Sequence, residues 1–406
     1  MDWKLWLWVF LCTIGIFATI PVARSIQKFV YATFGREFFT YIVLFIVGAG
    51  LTVLLYLFIF QFRAKRPLQY IWLFICAGLY VYFTLQLKAH PEEAIHLIEY
   101  GLLSYFLFKA LSYPIPDWTI YITAVLFVLF FGTIDEFLQW MMPQRYFYFK
   151  DIGLDTLAGG IALLFIWKGI GPEIICKPVR KISIKVLVGI ITIDLIFLSL
   201  CLSNTPKAVT GYTNAVNILS WLQKEEAMAE FGYSHKDPEI GAFLSRMSLK
   251  ELKEIDLSHG EYFGKILPDN IITKTVYEEL IKIYNQYTNP FLYEFIIHVS
   301  RRDSSLDELP KINDLNEKNE MANTAYRENL LIEKYFGNTL KHYRLILSDE
   351  KVRNLKKIAS LWKGEYISRT GNIITSFSLK KARIVVFFTL IIVWTLGERW
   401  KRRLDN

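Results

Sequence analysis

Apolar residues in this chain run in long stretches. Segments near residues 4–21, 39–62, 69–87, 94–112, 118–141, 152–171, 184–203 and 382–397 each approach the ~20 residues that a helix needs to cross a hydrocarbon core. Lipid offers no partner for backbone N–H and C=O groups, so such stretches satisfy them internally as helices. The pattern therefore predicts an all-α, polytopic integral membrane helix bundle of about eight spans. The fourth and sixth segments are the least apolar, because they hold His96, Glu99 and Lys109, and Asp155.

Between 204 and 381 the pattern changes to apolar positions three and four residues apart, as in amphipathic helices. It predicts helices over 215–230, 249–255, 275–287, 290–301, 321–336 and 349–366, punctuated by Pro238, Pro268, Pro290, Pro310, Gly337 and Gly371. The polar run 304–319 reads as a loop. The organisation that follows is two N-terminal spans with a linker (1–68), a transmembrane core (69–172), a seventh span (173–203), a mostly helical extramembrane domain (204–381), and a last span with a basic tail (382–406). Within the first linker, Arg24, Lys28 and Arg36 alternate with Ile26, Phe29, Val30 and Phe34, which fits either a helix lying along the interface or a plain loop. The first apolar segment reads as a retained span rather than a cleaved signal, because Asp2 offsets Lys4 and no clean small-x-small site precedes Arg24.

Composition agrees with a bilayer as the chain's main partner. Of 406 residues, 53% are hydrophobic and mean hydropathy is +0.30. A net charge of +8 would suggest nucleic acid in a soluble protein, but here the excess lies between apolar runs and reads as topology, so no nucleic-acid partner is expected. An even number of spans puts both termini on one side. That side collects Lys4, Arg63, Lys65, Arg66, Lys109, Lys168, Lys177, Arg180, Lys181, Lys185, Arg399, Lys401, Arg402 and Arg403, against about six basic residues in the opposing short loops. Cytoplasmic termini and an extracytoplasmic 204–381 domain are the expectation, although Lys380, Lys381 and Arg383 oppose it. Cys12, Cys76, Cys176 and Cys201 lack CxxC or Cys/His spacing, so neither a disulfide framework nor a zinc–thiolate cluster is expected, nor any resident cofactor.

Ionisable groups within apolar helices cost several kcal/mol unless they pair or meet a cavity. His96, Glu99 and Tyr100 stack on one helix face at the start of the fourth segment. Asp135, Glu136 and Gln139 close the fifth. Arg145 follows in a short loop, and Asp151, Asp155 and Gly159 recur every four residues into the sixth. Successive spans alternate direction, so all these groups belong at one membrane surface. His96, Glu99, Asp135 and Glu136 are the catalytic candidates, with a general base at His96 or Glu99 and a metal or proton partner at Asp135 and Glu136. Tyr100, Gln139, Arg145, Asp151 and Asp155 are the ligand-binding candidates, with Arg145 clamping an anion. Mutual satisfaction of these groups, simply holding three helices together with Gly159 and Gly160 at the packing surface, is the competing structural reading. Thr133 and Thr156 are the only hydroxyls nearby, which argues against covalent catalysis. Asp194 stands alone in the seventh segment as a helix-pairing or functional acid, and His235, His259, His298 and His342 read as surface or core residues.

The order His96-x-x-Glu99-Tyr100, Asp135-Glu136-Phe137-x-Gln139, Arg145, Asp151-x-x-x-Asp155-x-x-x-Gly159 resembles the VanZ-like family of membrane proteins. That family's pattern is similar to an Asp-Glu-x-x-Gln helix end, a Pro-Gly-Arg loop, and an Asp helix start followed by Asn and Gly. Here the loop is Pro143-Gln144-Arg145, and Asp155 stands where Asn is more common. The resemblance covers about residues 70–170. It implies a bacterial cell-envelope protein, with a link to teicoplanin resistance and no established biochemical activity. The resulting expectation is an outward-facing polar pocket for an anionic lipid- or glycan-linked molecule. A proton-coupled transporter, or a scaffold or sensor that binds through its helical domain, are the other classes.

Overall fold

The computed structural model describes residues 3–61, 66–143, 145–175, 177–223, 227–268, 274–343 and 346–404. Arg63, Lys65, Gln144, Cys176 and Asp2, used in the sequence reading, lie outside the described residues. The chain divides into two compact units, Met1–Cys201 with Arg383–Asn406, and Leu202–Ala382.

The first unit holds α1 (Trp3–Thr19), α2 (Ala23–Phe34), α3 (Phe38–Tyr56, continued by a π turn to Gln61), α4 (Pro67–Gln86), α5 (Ala94–Leu111), α6 (Thr119–Met141), α7 (Phe149–Leu164, continued by a π turn to Ile170) and α8 (Lys181–Ser203). Five helical runs are long and apolar enough to cross a membrane: Phe38–Gln61, Pro67–Ala89, Pro91–Leu111, Thr119–Met141 and Lys181–Ser203. A sixth candidate is the pair α1 and α2, bent by 68° where Pro21 interrupts the backbone ladder. Helix α2 turns Ile26, Phe29 and Phe34 outward and buries Val30, the amphipathic pattern of an interface-lying helix rather than a plain loop.

Helix α5 is central, packed against α1, α3, α4, α6 and α7. It is apolar around most of its circumference, and Leu97, Tyr100, Leu103 and Leu107 are fully buried. The outer helices are the reverse: Phe45 is 74% exposed, Phe60 66% and Leu200 63%. Apolar faces this broad need lipid as their covering. Gly159 of α7 meets α6 so closely that an added Cβ would lie 2.9 Å from both methyls of Val128, whereas Gly160 faces open space. Of the two glycines read as packing residues, only the first packs.

The second unit contains α9 (Pro206–Ala215), α10 (Leu249–Ile266), α11 (Lys274–Ile283), α12 (Pro290–Glu308), α13 (Leu315–Tyr335), α14 (Gly337–Tyr343) and α15 (Asp349–Ala359); α16 (Leu379–Arg403) follows. Five short strands accompany them: β1 (Glu230–Phe231), β2 (Tyr233–Asp237), β3 (Gly241–Ser245), β4 (Ile367–Ser368) and β5 (Ile373–Ile374). β2 and β3 form a hairpin with Tyr233 opposite Ser245, β4 adds parallel to β3, and β1 pairs with β5. The core is aromatic, with Phe243, Phe263, Phe291, Phe295, Phe336 and Tyr343 packed among Leu252, Ile296 and Ile332.

The helix expected over 215–230 is not formed. A Thr205 N-cap and Pro206 start α9 earlier, the backbone breaks at Val216, and a six-residue 3-10 turn, Asn217–Leu222, leaves Ile218 81% exposed. The loop expected over 304–319 is mostly helical. Helix α12 runs on to Glu308 because Arg302, Asp303 and Ser305 are buried, with Arg302 donating to Asp303 and to Asn329 of α13. Asp314 then caps α13 through the Glu317 N–H at 2.8 Å.

Glu328 of α13 anchors the unit's buried polar network. His298 and Ser368 contact it at 2.7 Å each, as do Arg301 and the Tyr366 hydroxyl. Burial alone would raise this carboxyl, but the charges of His298 and Arg301 and the hydrogen bonds around it prevail and lower it to about 2.

Two outcomes follow. Gly159→Val should destabilise the folded protein by about 1–3 kcal/mol through overpacking, while Gly160→Ala leaves it unchanged, both read by thermal unfolding in detergent. The Glu328 contribution, from a depressed carboxyl, is complete above its ordinary value of 4.5 and fades as pH falls toward about 2. Acid titration followed by tryptophan fluorescence should show that loss, and Glu328→Gln should cost about 3 kcal/mol at neutral pH and flatten it.

Candidate functional site

Helix α5 starts where α6 ends and α7 begins, so three sets of polar side chains meet inside the first unit. His96 Nδ1 lies 3.4 Å from Asp155 Oδ1, 4.0 Å from Asp135 Oδ2 and 4.0 Å from Glu99 Oε2. Its ring stacks on Tyr100, one turn along α5, with centroids 6.1 Å apart and planes 11° from parallel. Asp135 and Asp155 are each only 1% exposed and Tyr100 is fully buried. Gly132 makes the approach possible, since an added Cβ there would sit 3.0 Å from Asp155 Oδ2.

Gln139 orders the end of α6. Its Nε2 donates to Asp135 Oδ2 at 3.1 Å and to Glu136 Oε1 at 3.0 Å. The second Glu136 oxygen accepts the Tyr148 backbone N–H at 2.9 Å, which ties the α6–α7 loop to the helix below it. Glu136 is therefore a positioning residue for the loop. Burial pressure on these carboxylates is only partly relieved: Asp135 Oδ1, Asp155 Oδ1 and the Tyr100 hydroxyl are shielded from solvent and have no hydrogen-bond partner among the described residues.

A cavity of about 280 Å³ opens above this cluster. Among its walls are six of the residues singled out by spacing: His96, Glu99, Gln139, Arg145, Asp151 and Asp155. Asp135, Glu136 and Tyr100 are not on that wall; they sit around and behind it. Arg145 Nε is shielded from solvent without a hydrogen-bond partner among the described residues; Arg24 is close enough to repel its guanidinium, and Glu136, Asp135 and Asp151 are close enough to attract it.

Sequence spacing missed the contribution of α2. Arg24 and Gln27 line the cavity, and Glu92, just ahead of α5, accepts from Gln27 Nε2 at 2.7 Å and from the Tyr31 hydroxyl at 2.5 Å. The signal was present in the 24, 27, 31 spacing of polar groups on one helical face and in the Glu92-Glu93 pair before His96. Tyr146, Tyr148 and Glu93 complete the wall. Thr133 and Thr156 are not poised as nucleophiles, since each hydroxyl donates to its own helix, to Leu129 O and Ile152 O at 2.8 Å. Asp194 of α8 is buried with neither oxygen hydrogen-bonded among the described residues, and it is not part of this cavity's wall.

Comparison with protein-family models, with curated proteins and with solved structures finds no match to this chain. The site has to be read from its own chemistry: two guanidinium groups, carboxylates and an imidazole around one cavity.

The loop tie gives a direct check. Glu136→Ala removes the acceptor of the Tyr148 N–H and one Gln139 bond, and should lower stability by about 1–3 kcal/mol, while Glu136→Gln, which keeps an acceptor oxygen, should lose less than half of that in the same thermal unfolding assay.

Proposed function

We propose that this chain is a VanZ-like integral membrane protein of the bacterial cell envelope whose polar cavity binds an anionic lipid- or glycan-linked molecule. The observation that carries the reading is Arg145, a guanidinium turned into a cavity with its Nε unpartnered and with Arg24 beside it. A guanidinium at the wall offers planar paired donors to a phosphate or carboxylate, and a second one beside it adds to the attraction. A second cavity of about 360 Å³, lined by apolar residues including Leu54, Leu73, Cys76, Leu97, Gly101 and Phe165, also borders α5. A polar recess and an apolar cleft on one helix suit a charged head with a hydrocarbon tail.

In this reading α1, α3, α4, α5, α6, α7, α8 and α16 are the spans. The termini are cytoplasmic, and residues 204–381 form an extracytoplasmic domain that receives or presents the cell-surface ligand. Helix α7 keeps its acids out of lipid by directing Asp155 inward. An enzymatic version uses His96 or Glu99 as base. The separate aromatic core of the second unit favours one rival, in which the membrane part is a scaffold for a binding domain.

A long-chain alkyl phosphate and the matching alcohol serve as probes. The phosphate should raise the melting temperature of the purified full chain by several degrees, the alcohol should not, and Arg145→Ala should abolish the difference. An unchanged response in Arg145→Ala would favour the scaffold. Single cysteines at positions 90 and 145 should react with a membrane-impermeant reagent from the same, outer face; labelling from opposite faces would end the cavity reading.

A further inference from the structure

His96, Asp135 and Asp155 each offer one ligand atom to a common point, and the three atoms lie within 4.8 Å of one another. Two of the separations are 3.4 and 4.0 Å. A metal ion with bonds of about 2.0–2.2 Å holds neighbouring ligands roughly 3–4 Å apart; the distances from His96 Nδ1 to Asp155 Oδ1 and to Asp135 Oδ2 fall in that range, and the whole set lies within 4.8 Å. The closest contact, His96 Nδ1 to Asp155 Oδ1 at 3.4 Å, is longer than a well-formed hydrogen bond. His96 Nδ1 and the Oδ1 atoms of Asp135 and Asp155 are shielded from solvent, and none has a hydrogen-bond partner among the described residues.

The surroundings point to the same place. The fully buried Tyr100 hydroxyl lies beside Asp135, near enough to donate to its carboxylate. Gln139 donates to Asp135 Oδ2 at 3.1 Å, the kind of outer hydrogen bond that orients a ligating carboxylate. Two carboxylates plus a neutral imidazole balance a divalent cation, which removes the cost of burying two like charges side by side. Glu99, with Oε2 4.0 Å from His96 Nδ1, and the cavity itself face the remaining coordination position.

We propose that His96, Asp135 and Asp155 form a binding site for a divalent transition-metal ion, with zinc the best match to one imidazole nitrogen and two carboxylate oxygens. His96 binds through Nδ1, and the open position faces the cavity. The metal site stands on this geometry whether or not the cavity takes an alkyl phosphate.

The test uses the full chain in detergent, stripped with a chelator, dialysed into metal-free and phosphate-free buffer, and titrated with Zn²⁺, Mn²⁺ or Mg²⁺ alone. Elemental analysis after desalting should find about one zinc per chain, with a saturable rise in melting temperature; Mg²⁺ should give neither. Asp155→Asn and His96→Gln should each weaken zinc binding at least tenfold, since loss even of outer-shell partners costs about 10–100-fold. Asp194→Asn, in α8 and outside this cavity's wall, should bind as the parent does. Wild-type protein that retains no zinc and shows no shift overturns the site, leaving a protonated imidazole paired with the acids. Zinc retained equally by both ligand variants overturns it too, because the ion then lies elsewhere. Should the variants fail to give monodisperse protein, the stoichiometry and saturable shift of the wild type decide the question.

Discussion

The apolar helical unit of this protein is organised by the need of buried carboxylates to find one another. Asp135, Glu136 and Asp155 sit in helices whose other faces are apolar, and none of them can be turned to lipid without a cost of several kcal/mol. Their convergence on His96 fixes which ends of α5, α6 and α7 coincide and how the helices are rotated. Other features accommodate that meeting. Gly132 admits Asp155 against α6, Gly159 lets the same two helices stay close further along, and Glu136 holds the intervening loop through the Tyr148 N–H.

Much of this was legible before any coordinates. The spacing of His96, Glu99 and Tyr100, and of Asp151 and Asp155, is a property of helices alone, and alternation of direction brings the ends together. What spacing could not show is rotation. Asp135 and Glu136 are adjacent in sequence yet do different things, one facing His96 and the other tying a loop, because that division depends on where α7 lies. Nor could it show α2. Whether Arg24, Gln27 and Tyr31 face the bundle depends on the 68° bend after α1, a tertiary fact. In the second unit, two- to five-residue strands such as β1 and β4 are too short to carry an alternating pattern. The loop expected over 304–319 became helix because buried Arg302 and Asp303 pair there, which composition does not reveal.

The second unit supplies an internal standard for the first. Glu328 is a carboxylate as deeply buried as Asp155, and each of its oxygens is engaged by surrounding donors from His298, Arg301, Tyr366 and Ser368. That is the arrangement expected when a buried charge serves only to hold a fold together. The α5–α7 cluster differs: it keeps ligand-capable atoms at coordination distance from one another, leaves several of them unpartnered, and borders a cavity. A purely structural network would gain by closing those gaps.

Asp155 sharpens the contrast. An amide at that position could satisfy His96 with a neutral hydrogen bond. This chain instead has a second full carboxylate, and it is the nearest one to the imidazole. Adding a negative charge to a buried site already holding Asp135 is unfavourable unless something positive compensates it. Arg145 lines the cavity beside Arg24, leaving a protonated His96 or a bound cation as the compensating charge at the base. A protonated imidazole can neutralise one carboxylate, and Nδ1 stands 3.4 Å from Asp155 Oδ1, longer than a good charge-assisted hydrogen bond. A divalent ion would neutralise both and requires that nitrogen to be free of a proton, so the carboxylate that adds the charge would also complete the proposed ligand set.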